Sequence, residues 1–338
     1  MPRVRLGPIQ SVVLMGGGVV LYQLAQAIQE MGLPVEVWMA PRHATETIPG
    51  GRSLELSLGD RKIPHEVLSK LEVDQTPLTR VTPGTLGLSL GAAWIFREDV
   101  IRLFQNHLLN CHGAALPSDR GGGGASWPIL RGDRKGLSAL HLVDLGVDTG
   151  PIVAARRYTY ASTCRIPKDY YEEKARRDFP FLLSFIRQVR KGCSFHLLPQ
   201  DHSRSTHWPR LETDLHGAID WRWSVEEIER FICAFDDPYA GAFTQWSGQT
   251  VRLKGCIRTQ SDPVFHSFQS GLIYRVDSDG VCVACRGGNL KIRSLVSENS
   301  GASLRVRVGD RLWTPDTVLE KARETRVTHL PSGERVYG

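Results

Sequence analysis

No stretch of this 338-residue chain reaches the roughly 18 consecutive apolar residues needed to span a bilayer, so no membrane partner is expected. The opening Met-Pro-Arg-Val-Arg-Leu-Gly-Pro carries two basic residues, but no hydrophobic region and cleavage site of secretory type follow. A cytoplasmic protein is therefore expected. Cysteine is present but unpatterned: seven residues lie at irregular spacing, and Cys282 and Cys285 are the one close pair. With no second pair and no neighbouring histidine, zinc and dithiol chemistry lack a ligand set, and buried thiols in a reducing compartment are the expectation. Dense Lys/Arg blocks and basic strips interleaved with aromatics are missing too. The net charge of +6 thus favours anionic ligands without selecting nucleic acid. There are no internal repeats. Hydrophobic and charged contents of 41% and 23% are ordinary for a globular protein, and the length suggests two domains.

What is present begins as β-α-β. Residues 11–15 form a short apolar strand, Gly16, Gly17 and Gly18 follow, and Val20, Leu21, Leu24, Ala25 and Ile28 recur at helical spacing. A second strand spans 35–39. This opening is Rossmann-like, and Gly16 and Gly18 start a Gly-x-Gly pattern. The third glycine is missing, because position 21 is Leu, and Glu36 lies inside its strand rather than at its end; dinucleotide binding is rejected. A helix is expected around 64–71, a strand leaving through Gly91, and a helix from Glu98 that feeds the strand ending at His112. Farther on, Phe179, Leu182, Leu183, Ile186 and Val189 mark an amphipathic helix, in which Pro180 is acceptable near the first turn. Ser224 and Glu227 form a capping box, and the short strands between 244 and 295 suit a small β-barrel.

The chemistry concentrates between 109 and 153. Asn110-Cys111-His112 ends an apolar strand, and alternation puts Asn110 and His112 on one side with Cys111 on the other. A second strand, 137–143, runs out into Asp144-Leu-Gly-Val-Asp148-Thr-Gly. Ligands of open α/β sheets sit beyond the carboxyl ends of the strands, so these two ends are expected to deliver an amide, an imidazole and a carboxylate to one edge. The trio suggests acyl transfer. An Asn N–H can donate to a developing oxyanion. His112 can take a proton from a nucleophile or donate to the same oxygen. An adjacent Asp would orient the ring and raise its pKa. With Cys111 facing away and no nucleophile elbow, direct transfer without an acyl-enzyme is expected.

Asn-x-His-Gly-x-x-Leu-Pro-x-x-Arg-Gly followed by Asp-x-Gly-x-Asp-Thr-Gly-Pro-Ile resembles the formyltransferases that use 10-formyltetrahydrofolate. The segment from Ile219 to Phe243 resembles the join between the two domains of that family. The resemblance implies an α/β fold: a Rossmann-like catalytic domain (1–200), a linker (201–210), a β-rich barrel domain of oligonucleotide-binding-like type (211–300) and a terminal strand, helix and tail (301–338). It implies Asn110, His112 and Asp148 as the catalytic set, with Asp148 rather than Asp144 in the acidic role. For the donor it implies Gly91, Ala92, Ala93, Trp94, Ile95 and Phe96 along the folate pocket, joined by Val143, Asp144 and Gly146. Trp94 reads equally as core packing. The loop Gly121, Gly122, Gly123 and Gly124 departs from the family, which has a Pro soon after Arg-Gly, whereas here Pro comes at position 128.

The acceptor is less determined. Members acting on tRNA carry a basic loop after the second strand, and the matching residues 42–60 offer Arg42, Arg52 and little else. Phosphate neutralisation needs more than that, which argues against tRNA. A small amine is expected, with a nucleotide-linked amino sugar first, methionyl-tRNA as the alternative, and a hydroxyornithine or natural-product amine also open. A homodimer is allowed.

Overall fold

The computed structural model describes every residue except Met1, Asn106, Gly123, Ser261 and 331–333. Gly123 of the glycine loop thus lies outside the described residues. Strands β1 (Ser11–Gly16), β2 (Val35–Met39), β3 (His65–Val67), β4 (Thr85–Leu90), β5 (Leu108–His112), β6 (Lys135–Leu142) and β7 (Ile152–Thr159) build one seven-stranded sheet. Its order is β3-β2-β1-β4-β5-β6-β7. The first five run parallel. Parallel strands covered on both faces need continuous apolar runs, and β4 is buried along its whole length.

Helices α1 (Gly18–Glu30), α2 (Ser126–Arg131) and α3 (Pro167–Arg190) set the layers. On one face α1 buries Leu21, Leu24, Ala25 and Ile28 in a core shared with Leu182, Phe185, Ile186 and Val189 of α3. On the other, Val13, Met15, Trp38, Phe104 and Leu108 form a second layer that includes Trp94. Gly16 is required where β1 meets β4: its φ is +126°, and a Cβ there would stand 2.1 Å from the Leu90 carbonyl oxygen.

Three expectations need correction. β6 is antiparallel to β5, with Asn110 opposite His141 and His112 opposite Ala139, so two carboxyl ends do not meet at one edge. Asp148 reaches the end of β5 because residues 143–151 fold back before β7 begins. Second, residues 64–71 hold β3 rather than a helix; the helix lies earlier, at Leu54–Asp60, where Ser53 caps it by accepting from the Leu56 amide. Third, Pro180 sits deep inside α3 rather than in its first turn. A proline there removes the bond to the preceding turn. The apolar face from Leu182 to Val189, buried in the core, holds the helix across the defect.

In the C-terminal part, β8 (Ala242–Trp246), β9 (Gln249–Thr259), β10 (Ile273–Asp277), β11 (Gly280–Cys285) and β12 (Gly288–Ser297) form an antiparallel sheet in the order β8-β9-β12-β11-β10. The segment 309–313 binds both edges: the Gln245 amide donates to the Trp313 carbonyl and the Ile273 amide to that of Asp310, each at 2.8 Å. That drives the sheet round toward the barrel the short strands suggest. Helix α4 (Val225–Ala234) starts at the capping box, where the Glu227 amide donates to Ser224 Oγ and the Ser224 amide to the Glu227 carboxylate. Its Ile228 and Ile232 share a core with Ile129 of α2 and Tyr170 of α3, and the Ser126 hydroxyl donates to the Ala234 carbonyl at 2.8 Å. The loop that faces the end of β5 is therefore braced from the C-terminal side.

Candidate active site

The end of β5, the turn 91–96 after β4, the loop 143–149 and the segment 207–210 surround a cavity of about 610 Å³. Every residue singled out from the sequence lines it: Asn110, His112 and Asp148, the run 91–96, and Val143, Asp144 and Gly146. Cys111 borders the cavity as well, but its side chain packs against the core shared by α1 and α3. Burial pushes its thiol up to about 12, with nearby Lys174 opposing and Asp178 reinforcing that rise. A thiol so raised is no nucleophile at neutral pH.

Asp148 is the hub. Its backbone adopts the left-handed conformation (φ +55°), unusual for a residue other than glycine, and this turns the carboxylate back over the sheet. Oδ1 accepts from Asn110 Nδ2 at 3.1 Å and lies 3.5 Å from His112 Nδ1; Oδ2 accepts from the Gly121 amide at 3.0 Å. Burial alone would raise the carboxyl. His141, the field of His112 and the Gly121 amide outweigh it and hold Asp148 at about 2. Folded, its pKa lies below the ordinary 3.8, so the resulting stability, about 2 kcal/mol, is present above pH 4 and lost as pH falls through 2. Asp148→Asn should therefore flatten the decline in thermal stability between about pH 4 and pH 2. Parallel unfolding curves for the variant and the parent protein would refute this electrostatic account.

The expected rise in His112 is reversed. Desolvation of the ring lowers its pKa, and the attraction of Asp148 and the Asp119 carbonyl do not make up the difference. His112 Nε2 lies 2.6 Å from the Asp119 carbonyl oxygen, which can accept but not donate. The network thus assigns the neutral ring's proton to Nε2 and leaves the Nδ1 lone pair beside Asp148. A neutral ring with a free lone pair next to a carboxylate is the arrangement of a general base whose protonated form has a waiting counter-ion.

Two residues escaped the sequence. His141, 2% exposed, donates from Nδ1 to the Leu142 carbonyl at 2.8 Å, and its Nε2 lies 3.2 Å from Asn110 Nδ2 and 3.4 Å from Asp148 Oδ1. Pairing across β5 and β6 puts it there, and no local motif announces it. Both N–H groups of Asn110 are consequently directed at protein partners, Asp148 and His141, rather than at open cavity; donation to an oxyanion requires one of these bonds to yield. Gln200 donates from Nε2 to the carbonyls of Asp148 and Gly150, at 2.9 and 2.7 Å, and accepts from Arg120 at 2.8 Å. It fixes the backbone that carries the left-handed turn. Its sequence neighbourhood is polar and irregular, which concealed it.

Asp144 stays outside the trio. It accepts from the Gly146 amide at 3.2 Å and from the Thr149 hydroxyl, and so shapes the turn that presents Asp148. Trp94 packs in the core and lines the cavity from beneath: it is 8% exposed, and its indole N–H donates to the Ser69 carbonyl at 3.3 Å. Around the rim, Ile95, Leu145 and Val147 expose apolar surface. At Gly91 (φ +67°) nothing stands within 4 Å of where a Cβ would be, so the backbone there is open to close approach.

The chain matches the family description "Formyl transferase" over residues 91–170 and "Formyl transferase, C-terminal domain" over 213–303, together about half its length. A methionyl-tRNA formyltransferase of Acetivibrio thermocellus is 25% identical over 207 residues, which are 61% of this chain and 64% of that protein. The match thus spans less than two thirds of that relative's own length. Among solved structures, WlaRD, a sugar 3N-formyl transferase in the presence of dTDP and 5-N-formyl-THF, has a TM-score of 0.65 at 17% identity and covers 87% of this chain and 100% of its own. The N-formyltransferase of Helicobacter canadensis, in complex with folinic acid and dTDP-3-aminofucose, gives 0.64 at 16% identity over 84% of this chain and 99% of its own. At such identity these two show the fold. Taken with the family segments found in both halves of the protein, they lead to one assignment: the chain belongs to the formyl transferase family.

Proposed function

We propose that this protein moves a formyl group from 10-formyltetrahydrofolate directly to the amine of a small acceptor, a nucleotide-linked amino sugar. The observation that carries the reading is the convergence of Asn110, His112 and Asp148 in one cavity, beside a Cys111 thiol that burial keeps protonated. The donor side suits a pterin: an open backbone at Gly91, apolar Val143 and the exposed Ile95, Leu145 and Val147 flank the trio. The solved structures described with formyl-THF or folinic acid support the donor class. His112 Nδ1 takes the proton as the amine nitrogen bonds to the formyl carbon. Asp148 stabilises the imidazolium, and Asn110 gives up one internal bond to donate to the formyl oxygen. The same proton can then pass to the departing donor nitrogen, so that no acyl-enzyme is needed.

On the acceptor side, Trp127 and Trp208 lie with ring centroids 4.8 Å apart, tilted 41° to each other, and both line the cavity, where they offer aromatic surface against which a base can pack. The sugar formyl transferases with nucleotide ligands support this choice. The Acetivibrio thermocellus relative favours the second reading, formylation of methionyl-tRNA. Against it, Arg52 is engaged by Asp60 at 3.0 Å, which removes one of the few cations in 42–60. Supplied with formyl donor, the enzyme should release tetrahydrofolate with a member of an amino-sugar nucleotide panel and not with charged initiator tRNA. Efficient formylation of the tRNA, with no sugar turned over, would restore the second reading.

A further inference from the structure

Six Arg and Lys residues line the cavity, and three of them are matched. Arg131 makes two bonds to Asp119, at 3.0 and 3.2 Å, Lys174 pairs with Asp178, and Arg120 donates to Gln200. The exposed Lys135 is not, and neither are Arg42 and Arg210. Among the described residues neither guanidinium forms an ion pair or a hydrogen bond, and Arg42 Nε is a buried donor without a partner. They come from distant parts of the chain, Arg42 from the short helix Pro41–Ala44 after β2 and Arg210 from the segment after Trp208, yet both line the cavity of the trio. They are close enough that the charge of Arg210 disfavours protonation of Arg42, and both disfavour that of buried His43 beside them. Holding two like charges together in a partly desolvated site is unfavourable unless an anion completes it.

The position is suited to an anion on the acceptor. Gly122 of the glycine loop passes Arg210, with a would-be Cβ at 3.5 Å from the arginine Cβ, so the guanidinium lies along the loop that follows Arg120. The fork of an arginine matches the oxygens of a phosphate, and two such forks from opposite sides can hold a diphosphate. Glu46 is the carboxylate in the field of Arg42, but it is taken up with the Gly18 amide and with Gly17, against which it packs.

We propose that Arg42 and Arg210 form a phosphate clamp that binds the acceptor's phosphate groups and holds its amine toward His112. The proposal rests on the acceptor reading above but is separable from it, since a phosphate arrives equally on a sugar nucleotide or on an RNA end. Binding remote from the reacting nitrogen supplies the orientation that makes attack efficient.

The test is calorimetric titration of the full chain with dTDP, UDP and deacylated initiator tRNA, repeated for Arg42→Gln and Arg210→Gln. Titration with 5-formyltetrahydrofolate serves as the check that each variant is folded. Each substitution should weaken diphosphate binding by roughly tenfold or more, with donor-analogue binding unchanged. Without any variant, diphosphate affinity should fall as salt is raised; salt-independent binding would overturn the clamp. Diphosphates bound equally by parent and variants overturn it too, and leave the acceptor reading intact. Binding of tRNA alone, lost in both variants, keeps the clamp and overturns the nucleotide-sugar reading. If none of the three binds, the clamp is wrong.

Discussion

His112→Ala should lower the rate of formyl transfer by about 10²–10⁴-fold, the usual loss when a positioned acid–base group is removed. The expectation follows from the geometry around the ring. Nε2 is committed to the Asp119 carbonyl at 2.6 Å, Nδ1 is the nitrogen left to take a proton, and Asp148 Oδ1 waits 3.5 Å away to stabilise the charge. Because burial lowers the pKa of this ring, the base form persists to lower pH than in an ordinary histidine. Activity should therefore climb with pH as His112 and the acceptor amine lose their protons, and the limb due to His112 should vanish in the alanine variant. Asp148→Ala should cost a comparable factor, since it removes the counter-ion and also frees Asn110 and the Gly121 amide. Near-normal turnover in either variant, with the fold intact by circular dichroism, would remove that residue from the proposed chemistry.

Asn110→Ala should reduce kcat by roughly 10²–10³-fold, the cost of losing one oxyanion donor. The Michaelis constants for donor and acceptor should hardly move, because the proposed interaction exists when charge develops on the formyl oxygen and not before. The structure adds a complication that the sequence could not. Both amide N–H groups are directed at Asp148 and His141, at 3.1 and 3.2 Å, so the donor must exchange one protein bond for the oxyanion. Of the two, the contact with His141 is the weaker candidate to persist, since Asp148 is a charged acceptor and hydrogen bonds to a charged acceptor are the stronger. His141→Ala should accordingly cost less than Asn110→Ala. A change in Asn110→Ala confined to the Michaelis constant would make it a binding residue instead.

The sequence by itself determined which strand carries Asn110 and His112 and how their side chains are disposed along it. Alternation along a strand fixes which residues share a side, so Asn110 and His112 had to face together and Cys111 apart. Glycine and apolar spacing gave the β-α-β opening, and the Ser224–Glu227 box gave the start of α4, because each is settled by contacts within a few residues. What the tertiary structure decided is everything that depends on pairing between distant segments. The antiparallel direction of β6 is set by its neighbours, and a local apolar run carries no sign of it. That direction places His141 opposite Asn110. Gln200 reaches Asp148 across a separation of 52 residues, and Arg210 lines the same cavity as Arg42 from a distant part of the chain. The pKa of His112 belongs to the same class. Its sequence neighbour in function, Asp148, predicts a rise, but the cavity's desolvation is a property of the whole packed site, and it prevails.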